Sequence, residues 1–148
     1  MSVMHETIHL SQTVTAPLDA TWAAFTDTST RAMWSVPEGE EQVYDHDDFR
    51  PQGRARYRCG APGKLEFRGE IEYVQVLPAE LIVHTDTVWV DDTLLSTALL
   101  TWSFTADGNA TTVAITDQVI SFVGPDMIEG HRNGHRQALA QLDRILRP

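Results

Sequence analysis

Between residues 40 and 122 the sequence alternates apolar and polar side chains, and turn-forming stretches interrupt the alternation. A period of two over several residues is typical of a β-strand with one buried face. The interrupting stretches RPQG, GAPGK, LPAE, VDD and ADGN are rich in residues that favour tight turns. The sequence therefore predicts consecutive strands, joined as an antiparallel meander, near residues 41–47, 53–59, 65–76, 80–90, 94–105 and 110–120.

The segments on either side of this region predict one more strand and three helices. ETIHLSQTV alternates and predicts an opening strand, whereas TAPLDATWAAFTD carries apolar residues at helical spacing and TSTRAMW follows as a second short helix. A long amphipathic helix is predicted for the C-terminal segment, and DMIE fits a capping box in which Glu129 reaches back to Asp126.

This order of elements restricts the fold. A single antiparallel sheet has one face to cover, and the long C-terminal helix can cover it. We therefore predict an α+β domain spanning residues 1–148, in which a curved antiparallel sheet of six or seven strands wraps around the C-terminal helix. Two short helices follow the first strand. Because a curved sheet cannot fill its own interior everywhere, a pocket is expected between the sheet and the helices.

Charge and composition exclude several classes of function. The formal net charge is −10 with only 11 basic residues, whereas nucleic-acid binding needs a basic face. Arg54, Arg56 and Arg58 share one side of a strand, which favours a solvated outer face over a phosphate site. The apolar runs are shorter than the roughly 18 residues of a membrane span, and no secretory signal is evident. The single cysteine, Cys59, cannot form an internal disulfide, so a cytoplasmic location is expected. No cofactor is predicted.

The stretch IEGHRNGHRQAL places His131 and His135 one helical turn apart, on the same side of the C-terminal helix. The apolar stripe of that helix passes through both positions, so both side chains are expected to point inward. Their spacing suits a metal, but HRNGH lacks the glutamate of HExxH and no third ligand is evident, so no metal site is predicted. Structural histidines and histidines that line the pocket both stay open as interpretations.

Strand phase selects the other residues that face the pocket. For residues 80–90 the phase is ambiguous, and we favour the set containing His84 and Asp86 as inward over the alternative set containing Thr85 and Thr87. Met33 and Trp34 end the second short helix, where the mouth of the pocket is expected. The complete predicted lining is Met33, Trp34, Tyr57, Phe67, Ile71, His84, Asp86, Trp102, Ile115, His131 and His135.

Several motifs resemble a known family. DFRPQGRARY resembles a DFR-x-GGR segment, with Gln52 where glycine is usual, and LPAELIVHTDTV resembles PPERIVYTYEM. STALLTWSFTADGNATTVAITDQ and GHRNGHRQALAQLDRIL resemble the hairpin and closing helix of the same proteins. These are bacterial homologues of the activator of the heat-shock protein 90 ATPase, in the START and birch-pollen-allergen (SRPBCC) superfamily. The resemblance implies a helix-grip fold, and it places aromatic residues where this chain has His84 and Asp86.

The resemblance carries over no catalytic residues, because the superfamily includes binders of hydrophobic ligands, polyketide cyclases and a co-chaperone domain. We expect this chain to bind a small hydrophobic or aromatic molecule. One alternative is a cyclase or hydratase that uses His84, Asp86 and His135 as acid and base. Another is a co-chaperone-like module that binds a protein through the arginine strip. A homodimer is expected from the superfamily and from Trp89 on the outer face.

Overall fold

The structure, a computed structural model, describes residues 3–148. Its elements are β1 (Met4–Val14), α1 (Leu18–Thr26), α2 (Thr28–Trp34), β2 (Glu41–Asp47), β3 (Arg54–Ala61), β4 (Lys64–Leu77), β5 (Leu81–Val90), β6 (Thr93–Asp107), β7 (Ala110–Ser121) and α3 (Pro125–Leu146). Every predicted strand is present, and its ends lie within two residues of the prediction. The α+β architecture with two short helices after the first strand is thereby confirmed.

The strands form one antiparallel sheet of seven strands in the order β1-β7-β6-β5-β4-β3-β2. Six of them follow one another as a meander, because short turns join neighbours that already pair. The first strand joins the far side of this meander by pairing with β7, with Ile8 opposite Asp117. The helices α1 and α2 connect β1 to β2 and so cross from one edge of the sheet to the other.

A bulge in β4 places its second half in the opposite phase. The register between β4 and β5 shifts between Tyr73 and Gln75, as the apolar pattern of this strand predicted. Tyr73 is therefore buried in the core, whereas Val74 next to it is 54% exposed. The backbone of the loop before β3 supports the bulge, since Gln52 N–H donates to the Tyr73 carbonyl at 2.7 Å.

The long helix α3 covers the concave face of the sheet, and most of its buried residues lie in its C-terminal half. Ala138, Leu139 and Leu142 are at most 4% exposed and belong to the core. The predicted capping box was wrong. The helix begins at Pro125 after Gly124, which has a φ of 99° and makes no side-chain cap. Proline suits the first helical position, so the start of the helix needs no reach back from Glu129, which instead pairs with Arg132.

The outer face of the sheet is charged and internally paired. Arg54 bonds to Glu72 at 3.1 Å, and Arg58 bonds to Asp45 at 2.9 Å. These ion pairs neutralise much of the arginine strip, so the strip gives little support to a protein-docking function. The guanidinium of Arg68 lies over the ring of Trp89, 5.2 Å from its centre. Dimerisation through this face stays a prediction.

Within residues 3–148, no helix combines the length and the apolar character that crossing a membrane would require.

Candidate functional site

A cavity of about 340 Å³ lies between the concave face of the sheet, α2 and the N-terminal half of α3. That volume is in the range of pockets that bind small organic molecules. Its walls are mainly aromatic and aliphatic, with a few polar groups. The residues that define its walls include Phe25, Trp34, Tyr44, Phe49, Tyr57, Phe67, Ile71, Ile82, His84, Asp86, Leu100, Trp102, Gly130, His131, Gly134, His135 and Ala138.

Most of the predicted lining is found in these walls, including His84 and Asp86, so the favoured inward phase of β5 agrees with the structure. Two residues do not line the cavity and are corrected. Met33 is 66% exposed, because one residue along a helix turns the side chain by about 100° and only Trp34 then points inward. Ile115 is 1% exposed and lies within the packed core, so no part of the cavity reaches it.

The two helical histidines share one buried partner. His131 Nδ1 and His135 Nε2 each lie 2.7 Å from the same carboxylate oxygen of Asp117, Oδ2, and both imidazoles can donate to it. The other ring nitrogen of His131 lies 3.3 Å from Ser96 Oγ. Asp117 itself is fully buried on β7, behind the histidines as seen from the cavity. We refer to Asp117, His131 and His135 as the His–Asp–His triad.

Hydrogen bonding decides the charges within this triad. Burial alone would raise the pKa of Asp117, but the bonds from the two histidines hold it at about 2. Burial would lower the pKa of His131, yet the bond to Asp117 raises it above its ordinary value. The triad therefore holds an ionised carboxylate beside an imidazole that gains a proton readily.

The triad is the set of groups among residues 3–148 whose spacing suits a metal, since its ligand atoms lie within 4.8 Å of one another. A third metal ligand was not predicted, because Asp117 lies far from the two histidines along the chain. However, both imidazole nitrogens lie at hydrogen-bond distance from a single oxygen, which is the geometry of charge-assisted hydrogen bonds. The observed bonding therefore favours a hydrogen-bonded triad, and the lack of a resident metal stays a prediction.

His84 has no nitrogen available for acid–base work. Its Nε2 accepts a hydrogen bond from Trp102 Nε1 at 3.0 Å, and its Nδ1 lies 2.9 Å from the Thr85 carbonyl, to which it donates. Burial lowers the pKa of His84 to about 4, so the ring is neutral. Within residues 3–148 no hydrogen bond joins His84 to Asp86, so His84 does not supply the acid–base group that the cyclase or hydratase alternative assigned to it.

Among residues 3–148, the donor to the Asp86 carboxylate is the Tyr57 hydroxyl, which lies 2.8 Å from Oδ1 and 3.1 Å from Oδ2. Burial raises the pKa of Asp86 to about 6. Cys59 lies nearby, and burial with the carboxylates of Glu40 and Asp86 raises the pKa of its thiol to about 12. Cys59 is therefore a neutral wall residue and not a nucleophile.

The cavity wall also contains a buried arginine that was not predicted from the sequence. Arg31 on α2 is 6% exposed and forms an ion pair with Asp47, which also accepts from the hydroxyls of Thr28 and Tyr73. Its guanidinium lies 4.8 Å from the ring centre of Tyr44. The inward orientation of Arg31 could have been predicted from the sequence, because Arg31 precedes the inward-facing Trp34 by three residues and so shares its helix face.

Gly130 and Gly134 lie in the wall of α3 without close neighbours. A Cβ added to Gly130 would meet nothing within 4 Å, and one added to Gly134 would meet only Pro37 Cγ at 3.9 Å. Each glycine costs the helix roughly 1 kcal/mol relative to alanine. Close packing therefore does not explain these glycines, whereas keeping the cavity open does.

Gly69 on β4 determines the position of Tyr57. A Cβ at Gly69 would lie 2.0 Å from Tyr57 Cζ, so Gly69→Ala should displace the ring and break its bond to Asp86. We expect the free energy of unfolding to fall by about 1–3 kcal/mol, the usual cost of overpacking. Urea unfolding measures this change, and Glu70→Ala on the exposed side of the same strand is the control. Equal stability of the two variants would contradict the tight Tyr57 packing.

The fold and its internal cavity define a helix-grip domain of the SRPBCC type. The model of the family described as Activator of Hsp90 ATPase homolog 1-like protein matches residues 15–147, and the chain belongs to that family. A search of curated proteins gave no match.

Solved structures agree with this assignment. The Mll3558 protein from Rhizobium loti is 28% identical, with 97% of this chain and 99% of that chain covered and a TM-score of 0.85. The CV1439 protein from Chromobacterium violaceum is 25% identical, with coverage of 96% and 97% and a TM-score of 0.82. DynU16, from the dynemicin biosynthetic locus, shares the fold at 19% identity and a TM-score of 0.70, and the match covers 95% of this chain and 46% of that one.

Proposed function

We propose that this protein binds a small, mainly apolar or aromatic molecule in the cavity beneath the N-terminal half of α3. The observation that carries the proposal is the pair of glycines in that half, Gly130 and Gly134, which weaken the helix and leave the cavity unfilled. The aromatic walls would supply most of the binding free energy, because burial of apolar surface contributes roughly 25 cal/mol per Å². Families of the SRPBCC type typically bind ligands in a cavity, which agrees with this function.

A fluorescent apolar probe tests the proposal. N-phenyl-naphthylamine, which emits strongly only in apolar surroundings, should bind the wild-type protein saturably with a stoichiometry of one. Gly134→Leu should abolish that binding while leaving the protein folded, because leucine fills the cavity and is a better helix former than glycine. Asn133→Leu, which adds the same side chain at an exposed position of α3, is the matched control. Unchanged probe binding in Gly134→Leu, or no binding to the wild type, would refute the proposed function.

A further inference from the structure

The cavity contains acidic groups without a cationic partner. The Arg, Glu, Asp and His residues in its walls are Arg31, Glu40, His84, Asp86, His131 and His135, and the His84 ring is neutral. Arg31 is neutralised by its ion pair with Asp47. In contrast, neither Glu40 nor Asp86 forms an ion pair within residues 3–148, and Asp86 is held only by the Tyr57 hydroxyl.

The indole donors of the cavity are already used by the protein. Trp34 Nε1 donates to the Ala24 carbonyl and Trp102 Nε1 donates to His84, each at 3.0 Å. The Tyr57 hydroxyl supplies one hydrogen to Asp86, whereas an ionised carboxylate has about four acceptor positions. At Asp86 the spare hydrogen-bonding capacity is therefore that of an acceptor with negative charge.

Resting on the proposed function, we propose that the bound molecule carries a protonated amine on its apolar body and that the ammonium group donates a hydrogen bond to Asp86. A buried charge is costly unless a partner of opposite charge compensates it, and here the ligand would be that partner. The ring of Tyr57 offers further attraction for a cation. A carboxylic acid would instead meet two carboxylates, Glu40 and Asp86, that form no ion pair within residues 3–148.

Burial raises the pKa of Asp86, and His131 and His135 oppose that rise through space, but neither forms an ion pair with Asp86 because both imidazoles bond to Asp117. The titratable groups that face Asp86 are Tyr57 and Cys59 from β3, Asp117 from β7, and His131 and His135 from α3. Above about pH 6 the Asp86 carboxylate is ionised, so amine affinity should rise as the pH increases through this value.

Competition against N-phenyl-naphthylamine with a matched ligand series tests the inference. The competitors are naphthylmethylamine, naphthylmethanol, naphthalene and naphthoic acid, with the same ring position substituted throughout. At neutral pH we expect the amine to bind at least about tenfold more tightly than the alcohol, and the acid to bind most weakly. Asp86→Asn should reduce the amine-to-alcohol ratio to within about twofold. Glu70→Gln, an isosteric change on the outer face, should leave the order intact.

The outcomes separate the inference from the function on which it rests. If naphthalene and the probe bind but the acid competes as well as the amine, the inference is overturned and the proposed function stands. An amine preference that persists in Asp86→Asn overturns it equally. If neither the probe nor any competitor binds, the proposed function fails and the inference fails with it.

Discussion

Replacing Arg31 with methionine should lower the free energy of unfolding by about 3–5 kcal/mol, the usual cost of removing one partner from a buried ion pair. The substitution keeps the unbranched stem of the side chain as far as the position of Nε but leaves Asp47 uncompensated, with its side chain 4% exposed. Asp47 would retain bonds from Thr28 and Tyr73, which are too weak to replace a guanidinium. The same substitution frees the Phe25 carbonyl, to which Arg31 also donates.

Urea unfolding followed by circular dichroism measures this effect. Adding Asp47→Asn to Arg31→Met should recover part of the loss, because the stranded charge is then removed. Arg58→Met is the matched control, since Arg58 pairs with Asp45 at the surface, where ion pairs contribute little to stability. If Arg31→Met lowered the free energy of unfolding no more than Arg58→Met does, the buried ion pair would not hold α2 against the sheet.

Replacing Asp117 with asparagine should lower the free energy of unfolding by about 3 kcal/mol, because two charge-assisted hydrogen bonds lose their anionic acceptor. Asparagine keeps the shape of the side chain, so packing against Leu100 and Ile8 is retained. The effect is electrostatic and must depend on pH.

The pKa shifts define the window of that dependence. The pKa of Asp117 is lowered from 3.8 to about 2, so its stabilisation is present above 3.8 and is lost as the pH falls toward 2. The pKa of His131 is raised from 6.5, so its stabilisation is full below 6.5 and is lost as the pH rises through the raised value. The loss of unfolding free energy in Asp117→Asn should therefore be largest between pH 3.8 and the raised pKa of His131.

Urea unfolding of the wild type and Asp117→Asn, at about pH 5 and about pH 9, measures this difference. The difference in the free energy of unfolding between the two proteins should be smaller at the higher pH. Asp45→Asn, an exposed carboxylate with an arginine partner, should show a small gap at both values. A gap for Asp117→Asn that is the same at both values would contradict an ionised His131–Asp117 pair.

The sequence predicted the strands, the long helix and most of the cavity lining, because each depends on a local periodicity. Alternation placed Tyr57, His84 and Asp86 on the concave face, and the helical stripe turned His131 and His135 toward them. Even the inward phase of Asp117 was readable from TTVAITD. The contact between Asp117 and the histidines could not be predicted from the sequence. It depends on the position of α3 relative to β7, which no local periodicity determines.

The remaining errors have the same physical origin. Ile115 faces the correct side of the sheet, yet it lies within the packed core and the cavity ends before reaching it. Met33 and Trp34 are adjacent in a short helix, so their different exposures depend on the rotation of α2. Arg31 was overlooked because a buried arginine is rare unless it is paired, and its partner Asp47 lies on another element.

The most direct test of the central claim is to locate a bound apolar molecule by intermolecular nuclear Overhauser effects to methyl groups. With naphthalene bound, effects are expected to the methyl groups of Ile82, Leu100 and Ala138, which line the cavity. Effects confined to Leu99 and Val74, which are 39% and 54% exposed, would show that the molecule binds the outer surface and would contradict an internal site.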